Sequence, residues 1–473
     1  MGATRALAEL TVQVANEQIG EPAREATKRA VLDSIGTALA GWREGGIKPV
    51  LEQMRHWGGR GEATVLNYGG ALPAPNAAFV NSCMTHALDY DDIHNESNLH
   101  ILASVLPVSL AVAEMKHRSG MDLMTAVTLG VEVAVRIGIP ATQARMDRGF
   151  LPASTVGGFG ATASACRLLG LNVDQTQHAL GIFYAQTSGN RQALMDGSLT
   201  KRMQPAHAAR AALWASFLAE RGVTGATRAL EGNEGFFKVY VRAEPPDEAS
   251  VAGLRDRFEI ERLWVKQFPC CGASHAAMQA AIELVKRENL KPEEIEAVDV
   301  WVGDRILWIV GAPFALGSNP QVSAQFSLSY SVATALVKQC AGPKQYASET
   351  VVADEAVRAM ERRVRLHEIE GSKGKLFNDL PSTVVITTRD GRTLSHQVHR
   401  LKGSTYDPMS YAEVADKFRL CADYAGHWQR HKVDELIATV ESLEGLPDVA
   451  QFVQRQLVVA DLAEQQELEE TEP

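Results

Sequence analysis

Six cysteines in 473 residues are too few for a disulfide framework. Cys83, Cys166, Cys270, Cys271, Cys340 and Cys421 form no CxxC, and the adjacent Cys270-Cys271 is not zinc or iron–sulfur spacing. Positive charge is also short. The 47 Lys and Arg stand against 57 Asp and Glu, for a net charge of −10, which excludes nucleic acid as the main partner. An acidic chain can still hold an anionic substrate in a locally basic cleft. Uninterrupted apolar runs of the ~18 residues that a membrane helix needs are missing, because Pro107 and charged side chains break the best candidates. Met1 to Gly20 has no secretory h-region, and no GxGxxG or GKS/T phosphate loop occurs. The expectation is a cytoplasmic protein with no metal and neither nucleic acid nor membrane as partner.

What the chain does hold is a polar knot. His86 to His100 packs three histidines (His86, His94, His100) and four acids (Asp89, Asp91, Asp92, Glu96) into fifteen residues. Apolar segments flank it: Pro73 to Met84 before, and Ile101 to Glu114 after, with Leu102, Val105, Leu106 and Leu110 at core-helix spacing. A single Asp or His here would read as a solvated loop with a helix cap. The whole cluster between buried helices is costly unless its members pair, bind a metal or do chemistry. It has no recognised metal-ligand spacing.

Three further stretches bear on chemistry. Gly197 to Arg202 places Lys201 and Arg202 at a predicted helix N-terminus, where the dipole already favours anions. A solvated lysine that tolerates the dipole is the alternative. Lys266 to His275 opens on a turn and begins a helix at Ser274. His275 then falls in the first turn, where a neutral imidazole is favoured and can act as acid or base, or simply cap. Ser323 to Tyr330 reads as helix, with Tyr330 able to donate to a carboxylate or to pack in the core. The remaining histidines have no acidic cluster and read as structural.

A chain this long exceeds what one core usually serves, so two domains are expected. The order of elements is helical, then α+β, then helical. Helices are predicted from Glu21-Pro22, at Ile101–His117, at Met121–Ile137 (apolar on most sides), at Ser154–Leu169, after a cap at Asn172 or Asp174, and at Thr200–Arg221. Arg136, Arg145 and Arg148 flank the C-terminal end of Met121–Ile137, and the small residues of Ser154–Leu169 suit close helix approach. Strands are predicted at Glu296–Val302 and Arg362–Ile369, with a helix at Val322–Val337. A hairpin is predicted from Thr383–Arg389 and Arg392–His399 around Asp390-Gly391. Helices return after Pro408, at Trp428–Leu443 and Val449–Leu462, and the Glu-rich tail from Glu464 reads as frayed. The fold class is therefore mainly α. Residues 1–265 form an all-helical part, 266–402 an inserted α+β lid, and 403–473 helices that rejoin the first part.

Taken in order, several motifs resemble the MmgE/PrpD family. They are His86-Ala-Leu-Asp-Tyr-Asp-Asp through His100, Gly130-Val-Glu-Val-Ala-Val-Arg-Ile, Val156-Gly-Gly-Phe-Gly-Ala with Arg167-Leu-Leu-Gly-Leu, Thr200-Lys-Arg-Met, Lys266-Gln-Phe-Pro-Cys-Cys with His275, and Ala324-Gln-Phe-Ser-Leu-Ser-Tyr. Gly403 to Pro408 and Lys417-Phe418 fit its C-terminal signature. The resemblance implies a homodimer of the two-part fold just described. It also implies cofactor-free chemistry on small polycarboxylates, as in 2-methylcitrate dehydratase, cis-aconitate decarboxylase and iminodisuccinate epimerase. By position it implies Asp89, His100, Lys201 and His275 as catalytic residues. Lys266, Arg202, Tyr330 and Asp92 are expected to hold substrate. Two positions depart from the decarboxylase-like pattern, Ile93 in place of a Thr and Leu151 in place of a His.

The implied chemistry agrees with the residues. Removing a proton next to a carboxylate puts extra negative charge on it, which Lys201, Arg202 and Lys266 would stabilise in a closed site. His100 and His275 supply the acid and base, and Asp89 orients or charges one of them. The leading expectation is a methylcitrate-like dehydratase. The alternatives are an epimerase of an imino- or amino-dicarboxylate, a cis-aconitate-type decarboxylase, and a non-catalytic polycarboxylate-binding protein.

Overall fold

Two hydrophobic cores organise the computed structural model, which describes residues 2–144, 146, 149–375 and 380–459. The expected basic flank at Arg145 and Arg148, and the chain from residue 460 onward, lie outside the described residues. The larger core is helical and draws on both ends of the chain: Leu7, Val31, Ile35 and Leu39 share it with Val414, Phe418, Leu436 and Phe452. The smaller core runs from Phe268 to Val398 and is α+β. The fold is mainly α, as expected.

The helix Glu21–Ala40 begins with Pro22 in its first turn, where the missing N–H costs nothing. It packs against Tyr411–Ala425 from the far end of the chain, so closely that a Cβ on Gly36 would lie 2.9 Å from the Phe418 ring. Lys417 on the second helix reaches Asp33 on the first at 2.6 Å and donates to the backbone oxygen of Tyr90 at 2.8 Å. Both chain ends are thus tied directly beneath the polar knot.

The helix Gly120–Gln143 starts in a capping box between Ser119 and Asp122. By length and composition it is apolar enough to cross a bilayer, contrary to the expectation that no segment qualifies. Its most apolar window is 89% buried within the protein, and its two central charges, Glu132 and Arg136, pair with each other. It crosses the helix Gly157–Leu169 at Gly130 and Gly160, where a Cβ on Gly160 would lie 2.3 Å from the Gly130 oxygen. Small residues set that close approach.

Two expected helices are broken. Pro152–Thr155 and Gly157–Leu169 replace a single helix from Ser154. Pro320–Gln325 and Leu328–Lys338 replace Val322–Val337, because the Ser327 side chain accepts from the Tyr330 N–H and starts a new helix there. The four-stranded sheet runs in the order Val364–Glu368, Ile295–Val302, Ser382–Thr388, Thr393–Val398. Its first pair is parallel and the other two are antiparallel. Val298, Val300 and Val302 alternate into the core beside Val384 and Ile386, where the helix His275–Arg287 covers them.

Candidate active site

The knot spans the gap between the helices Ala74–His86 and Leu102–Met115. A backbone bridge from His94 to Leu99 folds it back on itself, and one from Ile93 ties it to Trp264. The turns need left-handed backbone at Asp89 (φ +51°) and Asn98 (φ +52°), a region that short polar side chains tolerate best after glycine.

Each of the three neighbouring aspartates finds a different partner. Asp89 pairs with the Lys201 ammonium and, at 2.7 Å, with Lys266, which also donates to the Asp89 backbone oxygen at 2.7 Å. Burial alone would raise the Asp89 carboxyl, but the two lysines outweigh it and hold it well below the usual carboxylate range. Burial likewise opposes the charge of Lys266, yet Asp89 and Asp91 keep that ammonium above its ordinary value. Asp91 faces imidazoles instead. The Nδ1 of His86 lies 2.9 and 3.0 Å from its two oxygens, and the Nδ1 of His100 lies 3.3 Å from Oδ2. Burial pushes His86 down to about 4, against the pull of Asp91. An ionised carboxylate only accepts, so His86 Nδ1 is the nitrogen that carries the proton. Asp92 takes the third role: its oxygens accept the N–H groups of Ile101 and Leu102 and close the N-terminus of the following helix.

Of these groups, His86, Asp89, His100 and Lys201 line a cleft between the two cores. Its polar lining residues are His86, Asp89, Asn98, His100, Arg191 and Lys201. Its apolar lining includes Ile93, Phe150, Leu151, Leu194, Ile309 and Phe326, and Cys271, Gly272 and Ala273 also line it. Arg191 stacks on the Trp308 ring, its guanidinium 3.9 Å from the ring centre. The cavity is narrow, about 80 Å³. Two surface hollows of about 490 Å³ are roomier. In the first, Arg255 and Arg262 are both paired with Glu259; the second is lined by His207, Arg210 and Trp214. Neither gathers buried acids, lysines and imidazoles around one space, and the cleft does.

Residues 5–249 match the MmgE/PrpD N-terminal domain, and residues 268–443 match the MmgE/PrpD C-terminal domain. The chain belongs to the MmgE/PrpD family. Among its relatives are cis-aconitate decarboxylases of Mus musculus and Homo sapiens, each 28% identical to it. The alignments cover 89% of this chain with 86% and 88% of those proteins. A cis-aconitate decarboxylase of Aspergillus terreus is 26% identical over 96% of this chain and 95% of its own length.

Within this MmgE/PrpD chain, the structure brings Asp89, His100 and Lys201 together at the cleft, with Lys266 directly behind Asp89. His275 sits one layer deeper, behind Cys271–Ala273. Its Nε2 donates to the Cys270 carbonyl at 3.2 Å, and its ring packs edge-on against Phe268. Burial pushes that imidazole down to about 3, with Lys266 adding to the effect. Arg202 points away from the cleft, donating at 2.9 Å to both the Gly45 carbonyl and the Gln321 side chain. Tyr330 is buried in the smaller core beside Phe314, its hydroxyl 3.4 Å from the Gln345 carbonyl. Neither Arg202 nor Tyr330 reaches the cleft, and Asp92 is occupied by the helix end.

Sequence reasoning did not single out His86, Asp91, Asn98 or Arg191. The first two carried a signal, five-residue spacing from His86 to Asp91 inside the knot, but nothing in the sequence separates Asp91 from the acids beside it. Both departures from the decarboxylase-like pattern, Ile93 and Leu151, line the cleft.

Proposed function

We propose that this protein is a cofactor-independent lyase that releases carbon dioxide from a small polycarboxylate, the type of reaction named for its relatives. One observation carries the reading. Lys201 and His100 line the same cleft, and each stands beside a buried carboxylate, Asp89 and Asp91 respectively.

Breaking the bond to the departing carboxylate leaves an electron pair on carbon. An adjacent carboxylate or alkene spreads that charge, and a fixed cation lowers its energy most in a site shielded from water. Lys201 and Lys266 share one carboxylate, so together with Asp89 they retain a net positive charge for the substrate. His100 lies within the same cleft to deliver a proton to the carbon as carbon dioxide leaves, while Asp91 fixes its ring.

The methylcitrate-like dehydratase reading shares the proton transfer but also needs an acid for the departing hydroxyl. The relatives' named activity favours decarboxylation over it and gives the epimerase reading no support. Incubation in deuterium oxide with cis-aconitate, citrate-type and alkyl dicarboxylic acids, followed by NMR and carbon dioxide trapping, tests the proposal. Carbon dioxide release with deuterium in the product is expected. Loss of water or inversion without carbon dioxide would replace the reading, and binding without any turnover would leave a non-catalytic polycarboxylate-binding protein.

A further inference from the structure

We infer that Asn98 is a binding residue of this cleft and that its side-chain amide holds a carboxylate of the substrate. The inference deepens the lyase reading, on which it relies for the class of acid that enters, and adds a group that anchors it.

Most polar groups that line the cleft are already engaged. The Nδ1 of His86 is bonded to Asp91, the Asp89 carboxylate to two lysines, and the Lys201 ammonium to Asp89. Arg191 is stacked on Trp308. Asn98 lines the same space, and its side chain makes no hydrogen bond to another described residue. Its amide therefore keeps two donor hydrogens and an acceptor oxygen for water or a ligand.

The turn that bears Asn98 is firmly held. Its own N–H donates to the Asn95 carbonyl at 3.2 Å, and both chain neighbours, Ser97 and Leu99, are fully buried. The Ser97 carbonyl accepts from the Thr142 hydroxyl at 2.7 Å, and the Ser97 hydroxyl lies 3.0 Å from His94 Nδ1. Leu99 exchanges two backbone bonds with His94. The helix Gly120–Gln143 packs against this turn so closely that a Cβ on Gly138 would lie 2.7 Å from Leu99 and 2.8 Å from Ser97. A side chain carried on fixed backbone has less freedom to lose on binding. His100, two residues on, lines the same cleft.

The backbone offers a competing reason for an asparagine here. Position 98 has φ +52°, which asparagine tolerates better than most residues. That role asks nothing of the amide. Glycine meets it more easily and aspartate meets it too, yet neither supplies the amide donors. An N–H bonded to an ionised carboxylate is stronger than a bond between neutral groups, so a carboxylate is the partner that gains most from this amide.

Calorimetric titration of the intact protein with tricarballylate separates the two roles. This saturated counterpart of cis-aconitate has no alkene to spread the charge of a departing carboxylate, so it reports binding alone. Asn98→Gly should weaken its binding ~10-fold or more, the scale for a hydrogen bond to a charged group, with the melting temperature unchanged. Asn98→Asp should weaken it further, because it sets one carboxylate against another. Native affinity in Asn98→Gly confines Asn98 to the turn and overturns the inference. Native affinity in Asn98→Asp does the same, and serves should the glycine variant fail to fold. Failure of the native protein to bind tricarballylate overturns it as well. Carbon dioxide release from cis-aconitate, with affinity unchanged in both variants, leaves the lyase reading standing and removes this one. Weakened binding in the variants, with no carbon dioxide released from any acid by the native protein, upholds the role of Asn98 and removes the lyase reading instead.

Discussion

The Nδ1 of His100 lies 3.3 Å from Oδ2 of Asp91, a charge contact that is not aligned as a hydrogen bond. A carboxylate on that side favours a proton on Nδ1, and in the imidazolium the proton on Nε2 is then the one to be delivered to the substrate. Asp91→Asn keeps the volume but offers an amide in place of the anion. It should lower kcat by ~10²-fold or more, as losing the carboxylate that orients a catalytic imidazole does, with KM changed much less. A pH–rate profile should move with it. Unchanged kcat and an unchanged profile would show that Asp91 has no part in positioning His100.

The two lysines on Asp89 should separate by experiment. Lys201→Ala removes the cation that faces the cleft and leaves Asp89 paired to Lys266. A loss in kcat of ~10²-fold or more is expected, the scale for one preorganised charge-stabilising group. Lys266 has no exposed side-chain surface and bonds both the carboxylate and the backbone of Asp89. Lys266→Met should therefore cost stability first, about 3 kcal/mol in urea unfolding, the scale for breaking a buried ion pair. A Lys201→Ala protein with full activity would remove Lys201 from the mechanism.

Stability should depend on pH through His275. Its folded-state value, about 3, lies below the unfolded value of about 6.5, so the unfolded chain binds the proton that the native chain excludes. Its contribution is whole above pH 6.5 and is lost as pH falls toward 3. At pH 5 the loss is about 2 kcal/mol, from 1.4 kcal/mol per unit. Comparing native protein with His275→Gln isolates the term, since the other titrating groups are common to both. The native melting temperature should fall more steeply between pH 6.5 and 5 than that of the variant. Parallel curves would place His275 in a solvated setting.

Chelation should leave activity intact. Among the described residues, one group has metal-like geometry: His86, Asp91 and His100 bring their ligand atoms within 4.8 Å of one another. His86 offers its Nδ1 to Asp91 as a donor, which leaves no lone pair on that atom for an ion. Loss of turnover in EDTA, restored by a divalent cation, would make this group a metal site and displace the acid–base account.

Periodicity alone located most elements. The alternation of Val298, Val300 and Val302, the Asp390-Gly391 hairpin, the Asn172 cap and the helix from Thr200 all appear in the structure, with ends shifted by a few residues. These depend on local spacing and turn chemistry, which a sequence carries in full. The breaks at Val156 and Ser327 were not legible, because there a cap or a close packing contact overrides a continuous apolar pattern.

The knot's composition likewise announced a special place between two buried helices, but not the division of labour inside it. Asp89, Asp91 and Asp92 lie one to three positions apart in sequence. Only the left-handed turn at Asp89 sends one to the lysines, one to the imidazoles and one to a helix end. Lys201 and Arg202 are neighbours on a helix, so they point about 100° apart, and which of them faces a cleft depends on what packs around that helix. The lysine meets Asp89 and the arginine meets Gly45 and Gln321. Residue types and spacing determined that acids, bases and cations would be present. Which of them share one desolvated space is a long-range property, set by the packing of the two cores against each other.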